Sequence, residues 1–166
     1  MNAGAYNGEI KDTVIYVDYM DSEGRLFRCT KDELDFSYRH SFFTDKDYII
    51  LSAAFQLEPK PQDQISDRMQ ELMNRRKLKQ PINHPSAGSI FKRPEGYYAA
   101  ALIEECGLKG YTVGGAQVSP KHSGFIVNDN GASADDVLKL ISHIRKVVLD
   151  EKNVDLNCEV RFIGRV

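Results

Sequence analysis

Four stretches bring together residue types that could do chemistry. The run Ser86-Ala87-Gly88-Ser89-Ile90-Phe91-Lys92-Arg93-Pro94 sets a serine hydroxyl beside a glycine. Glycine lets a backbone approach a ligand closely and tolerates positive φ, so Ser89 could be presented to a substrate. The commoner use of such a run is a plain loop before a helix, with serine as a turn former. It lacks the Gly-Lys-Ser/Thr ending of a phosphate-binding loop and is not a Gly-x-Ser-x-Gly nucleophile elbow. Glu159 and Arg161 share one face of an alternating segment, where a carboxylate and a guanidinium can polarise or charge-balance one ligand. A solvated edge ion pair is the commoner use of that pattern. In Phe36-Ser37-Tyr38-Arg39-His40-Ser41 an arginine stands beside aromatics and suits a carboxylate or phosphate, or simply stacks on a ring. Last, the paired glycines of the Gly114–Asn128 stretch could admit a ligand, and its His122 is otherwise a polar loop residue. Taken singly, none of the four decides a function.

The composition removes several classes. With 22 basic against 24 acidic residues and a net charge of −2, bulk electrostatics give no case for nucleic acid binding. No apolar run approaches the ~20 residues that cross a bilayer. Met1–Gly8 shows no basic stretch followed by an apolar core, so no signal peptide is expected and the cytoplasm is the default location. Cys29, Cys106 and Cys158 form no close pair and read as reduced thiols. His40, His84, His122 and His143 have no metal-ligand spacing, so no metal is expected. At 42% hydrophobic and 28% charged, the chain is an ordinary globular one.

The elements that must position those residues follow from periodicity. Thr13–Tyr19 is β-branched and aromatic, Asp21–Gly24 is turn chemistry, and Arg25–Thr30 returns as the second strand of a hairpin. Asp47–Glu58 predicts a strand buried on at least one face. Beyond Pro59 and Pro61, Ile65, Met69, Leu72 and Met73 recur at helical spacing, with acids early and Arg75–Lys77 late, as the helix dipole prefers. Pro81 stops this helix, and Asn83–Arg93 reads as a loop. Pro94 opens a second helix that ends at Gly107. Tyr111–Val118 and Gly124–Asn128 read as short strands. Ser133, with Asp136 three residues on, caps a helix whose stripe is Val137, Leu140, Ile141, Ile144, Val147 and Val148. A last strand, Leu156–Ile163, turns Leu156, Cys158, Val160 and Phe162 one way and Asn157, Glu159 and Arg161 the other. The expected class is α+β.

The order of these motifs resembles the flavin-dependent UDP-N-acetylenolpyruvoylglucosamine reductases, over essentially the whole chain. Asn2-Ala3-Gly4-Ala5-Tyr6 with Gly8-Glu9-Ile10 is similar to the segment closing the family's flavin-binding core, and Tyr38-Arg39-His40-Ser41 to its Tyr-Arg-x-Ser. Lys79-Gln80-Pro81 with Pro85–Pro94 resembles its serine loop. Gly107–Gly110, Gly114-Gly115-Ala116, Lys121-His122, Gly124–Asn128 and Glu159–Gly164 follow in the family's order. Asn7 departs from a common glycine, and Ala100-Ala101 from a common Gly-Lys.

The resemblance implies NADPH- and FAD-dependent reduction of UDP-N-acetylglucosamine enolpyruvate to UDP-N-acetylmuramate. That reaction serves peptidoglycan synthesis, and through it cell-wall biogenesis, cell shape and cell division. It implies Ser89 as proton donor with Arg39 and Glu159 as catalytic companions. Tyr38, Lys79, Arg93 and Arg161 become substrate-binding residues, and Asn2, Ala3, Gly4 and Ala5 lie at the flavin. Residues 1–60 are then the C-terminal, mostly β part of a truncated FAD-binding domain, and 61–166 an α+β substrate-binding domain that folds independently. The family's glycine-rich flavin segment is expected before Asn2, so this chain alone is expected to retain no FAD and to be inactive. Two rivals stand beside this: a non-catalytic nucleotide-sugar-binding module, and another flavin oxidoreductase. Self-association through uncovered strand edges in residues 1–60 is a further expectation.

Overall fold

The structure, a computed structural model, describes residues 1–164. Helices and strands are mixed along the chain in an α+β arrangement. The chain divides into two compact units, Met1–Gln62 and Asp63 onward.

The first unit opens with a two-residue hairpin, β1 (Gly4–Ala5) and β2 (Gly8–Glu9). Its turn residues Tyr6 and Asn7 have φ of 53° and 69°. Asparagine enters this left-handed region more readily than most side chains, which accounts for Asn7 in a glycine position. An antiparallel sheet follows in the order β4-β3-β5, from β3 (Val14–Met20), β4 (Leu26–Thr30) and β5 (Ile49–Phe55). The β3–β4 turn is closed by the nearly buried Asp21 carboxylate, which accepts from the backbone N–H of Glu23 and Arg25 and from Arg25 Nε at 2.8–2.9 Å. Val14, Val17, Cys29 and Leu34 form the small core, with Tyr19, Phe36, Phe42 and Phe43 against it. The expected burial of the third strand is not found: Ile49, Ile50 and Leu51 are each more than half exposed. β5 is an edge strand, and the core residues lie on β3, β4 and the turn that ends at Leu34.

The second unit begins with α1 (Gln62–Lys79). A four-stranded antiparallel sheet, β6-β9-β8-β7, is made from β6 (Ser86–Ser89), β7 (Thr112–Val113), β8 (Ala116–Val118) and β9 (Phe125–Asn128). Two helices, α2 (Ala99–Glu105) and α3 (Ala134–Lys152), pack together with Ala116, Val118 and Ile126 of the sheet. α3 is built as its sequence predicts. The Ser133 hydroxyl accepts from Asp136 N–H, the Asp136 carboxylate accepts from Ser133 N–H, and Leu140, Ile141, Ile144 and Val148 are buried.

Four expectations change here. Asn83–Arg93 is not all loop, because Ser86–Ser89 pairs with β9. The second helix starts at Ala99 rather than Pro94, since Gly96 at φ 75° and the extended Tyr98 cap intervene. Tyr111–Val118 is broken by Gly114-Gly115 into the β7–β8 hairpin. The last strand, Leu156–Ile163, is reduced to one isolated bridge, Phe91↔Cys158. Its partner Ile90–Lys92 is short and runs into a proline, so the ladder ends after Glu159 N–H bonds to Ile90 O and Lys92 N–H to Asn157 O, each at 2.8 Å. The alternation survives only near that bridge: Leu156 is buried, whereas Phe162 is 49% exposed. Among the described residues no helix is long and apolar enough to cross a membrane, and no group of three or more His, Cys, Asp or Glu could hold a metal ion.

Candidate active site

Ser89 closes β6, and a bulge decides where it points. Ser86 pairs with Val127 and Ser89 with Phe125, so the segment between them carries one residue more than its partner strand. Gly88, at φ 85°, takes up the extra residue. A bulge of this kind shifts the pleat by one and re-aims the side chains after it. Ser89 therefore falls on the face of Phe125 and Val127, and Ile90 turns into the core at 2% exposed. A Cβ on Gly88 would meet nothing within 4 Å, so only the backbone conformation requires glycine. Gly88→Ala is expected to cost about 1–2 kcal/mol and to leave α3 folded. In a complete reductase containing this chain it should still cost turnover, because Ser89 is re-aimed. Hydrogen exchange of α3 beside a rate assay separates the two effects.

Glu159 lies on the segment next to Ser89. Its N–H donates to Ile90 O, and Phe91 faces Cys158 across the antiparallel bridge, which sets Glu159 opposite Ile90, one residue beyond Ser89. Arg93 continues the same segment. Its Nε donates to Tyr97 O at 3.3 Å, and its guanidinium stacks 4.0 Å from the Tyr98 ring centre. Lys79 ends α1, whose Lys77 carbonyl accepts from Lys121 Nζ at 2.5 Å. Arg161 is exposed beyond the bridge.

On the sheet face that carries Gln117 and Val127 lies a cleft of 230 Å³, whose lining includes His84, Ser119, Lys121 and Asp129. His84 and Asp129 approach to 3.6 Å there. They are far apart in sequence and fit no motif, so only the register of β6 on β9 could have shown them together. Ser119 is buried, its hydroxyl accepting from the N–H of Lys121 and His122. Ser123 donates to Glu104, which also pairs with Lys109 at 2.9 Å, and these partners hold the Glu104 carboxyl below its ordinary range, Lys109 chiefly. His122 Nδ1 accepts from Gly124 N–H, so this ring first of all closes its own turn.

The paired glycines do not await a ligand. A Cβ at Gly114 would land on the Asp136 carboxylate, and one at Gly115 on the Asn130–Ala132 backbone. Hydrogen bonds from backbone N–H groups, that of Ser133 first, hold the Asp136 carboxyl below its usual value.

In the first unit, Tyr38 and Arg39 form the tip of a tight turn closed by the Ser37↔His40 bridge, with Arg39 at φ 56° and Tyr38 exposed. A non-glycine residue held at positive φ costs of order 1–3 kcal/mol and often marks a functional constraint. Asn2 lies beneath this turn. Its amide donates to Glu9 Oε2 and Ser37 O and accepts from Lys11 N–H. Gly4 is already filled, since a Cβ there would sit 3.0 Å from Glu9 Cγ. Asn2, Ala3, Gly4 and Ala5 thus build a hairpin whose one polar side chain, that of Asn2, is satisfied internally.

A four-stranded antiparallel sheet with two helices packed together on it defines an α+β domain. The chain belongs to the UDP-N-acetylenolpyruvoylglucosamine reductase family, whose C-terminal domain matches residues 80–163. It is 55% identical over 164 residues to the UDP-N-acetylenolpyruvoylglucosamine reductase of Agathobacter rectalis, a match covering 99% of this chain and 52% of that protein. The reductase of Clostridium novyi is 52% identical, with 99% and 53% covered. The crystal structure of the reductase from Thermus caldophilus superposes with a TM-score of 0.81 at 38% identity, covering 96% of this chain and 57% of that one. The chain therefore spans about half the length of the curated relatives it matches.

Proposed function

We propose that this chain supplies substrate binding and the proton donor for reduction of UDP-N-acetylglucosamine enolpyruvate to UDP-N-acetylmuramate, a step of peptidoglycan synthesis. The observation that supports this is the Gly88 bulge that turns Ser89 out of the core, on a segment bridged to the one that carries Glu159. When bound, NADPH and FAD would supply the reducing equivalents, with Asn2, Ala3, Gly4 and Ala5 at the flavin.

The chain's own residues have separate tasks. Reduction of the enolpyruvyl double bond requires one carbon to accept a proton, and Ser89 Oγ delivers it. Serine is a weak acid, so it needs a neighbour that polarises the hydroxyl or returns its proton, and Glu159 is that neighbour. Negative charge develops next to the substrate carboxylate, and a cation lowers the barrier where that charge appears. Arg39 is assigned that part on its Tyr-Arg-x-Ser motif, with Tyr38 beside it. Lys79, Arg93 and Arg161 hold the carboxylate and diphosphate, guanidinium forks being suited to planar anions.

Calorimetric titration with UDP-N-acetylglucosamine enolpyruvate tests the binding half. Arg93→Ala and Lys79→Ala should each raise Kd about tenfold, the loss of ~1.4 kcal/mol. A chain that gives no heat with this ligand, or variants that bind as the parent does, would remove the substrate assignment.

A further inference from the structure

We propose that the stripe Ile65–Met69–Met73 on α1 is a docking surface for the polypeptide that the longer reductases carry outside the region matched by this chain. None of the eighteen residues of α1 is buried, and these three side chains are 44%, 66% and 46% exposed. Their spacing places them within about 80° of one another around the helix, the width of a core-facing stripe. The opposite side is polar: Asp63, Asp67 and the hydrogen-bonded pair Gln70–Asn74 lie there.

A lone helix of this length is marginal in water and is usually held by burial of its apolar face. Lys121, on the Lys77 carbonyl, secures the last turn. The occupant follows from the relatives. The Thermus caldophilus structure matches 96% of this chain yet only 57% of its own, so the remaining 43% of that protein is polypeptide outside the match. A helix laid into an apolar groove reads anchors at this spacing. A second copy of the chain fits worse, because Arg76 shares the stripe, and antiparallel pairing would set its guanidinium against Ile65. The inference rests on membership of the family and not on the activity proposed above.

The test fuses this chain to the part of the Agathobacter rectalis reductase outside its match, and compares hydrogen exchange over residues 62–79 in the fusion and in the chain alone. Exchange should slow at least tenfold in the fusion. Met69→Glu and Ile65→Asn should each reverse that, and Gln70→Glu should not. Amides of α3, protected in every variant, show that the second unit stays folded. Equal exchange in the two proteins overturns the proposal, as does slowing that Met69→Glu and Ile65→Asn leave intact. Slowing that depends on the concentration of the chain alone also overturns it, and assigns the stripe to a second copy. A fusion with protected α1 but no reductase activity would leave this inference standing and count against the proposed function.

Discussion

Ser89→Ala, placed in a complete reductase in which this chain replaces the matched half of a relative, is expected to lower kcat by about 10³-fold. KM for the UDP-sugar should stay within about threefold, since a proton donor acts in the transition state and adds little to ground-state binding. The structure makes the substitution clean. Ser89 is half-buried at the end of a short strand and points away from the core, and Ile90 and Phe91 behind it carry the packing. Losing one hydroxyl there leaves no cavity in that core. Glu159→Gln in the same protein should be milder at low pH if the glutamate serves to return the proton, because solvent acid can reprotonate the Ser89 oxygen in its place. A rate for Ser89→Ala within tenfold of the parent would end the assignment of Ser89 as the acid. The surviving role for this segment would then be the grip of Arg93 on the substrate's anionic groups.

What could be read without coordinates was whatever depended on local chemistry. The cap and stripe of α3 are set by residues within a few positions of one another, and they formed as expected. The β3–β4 hairpin, with Asp21 turning it, is of the same kind. Some of what failed was local, as where Gly96 delays the start of α2, and the rest depended on partners distant in the chain. The alternation of Leu156–Ile163 is genuine, but a strand needs a neighbour of matching length, and Ile90–Lys92 provides only one bridge. The apolar run at Ile49–Leu51 suggested burial, yet burial is decided by what lies across the sheet and not by the run itself. The candidate site was legible in its residue types and not in its geometry. The Gly88-Ser89 pair and the Glu159 segment could be singled out by type. Their adjacency comes from the bridge between segments nearly seventy residues apart, which no spacing rule encodes. The bulge that aims Ser89 was hinted at only by the glycine before it.

Gly115→Ala is expected to be the most damaging single methyl addition in the second unit, costing about 3 kcal/mol or more, within the range of overpacking with an immovable neighbour. The added Cβ would overlap the Asn130 carbonyl oxygen and lie 2.5 Å from Ala132 N and 2.8 Å from Ala132 Cα. All three are backbone atoms, so no rotamer change relieves the clash. The same loop donates Asp129 N–H and Asn130 N–H to Gly115 O at 3.1 and 3.2 Å, and moving it away forfeits both bonds. It also leads directly into Ser133, so the cap of α3 would be pulled off Asp136. Gly131→Ala is the control that separates steric overlap from backbone conformation. Gly131 has φ 65° but no atom within 4 Å of its would-be Cβ, so it should cost about 1 kcal/mol, the penalty of left-handed backbone alone. For a unit of this size each kcal/mol moves Tm by roughly 4–8 °C. Thermal unfolding followed at α3 should therefore show Gly115→Ala melting at least about 12 °C below the parent and Gly131→Ala within about 8 °C of it. Equal shifts for the two variants would mean that the Asn130–Ala132 loop yields readily, and that the glycine pair serves turn conformation instead of the close approach of α3.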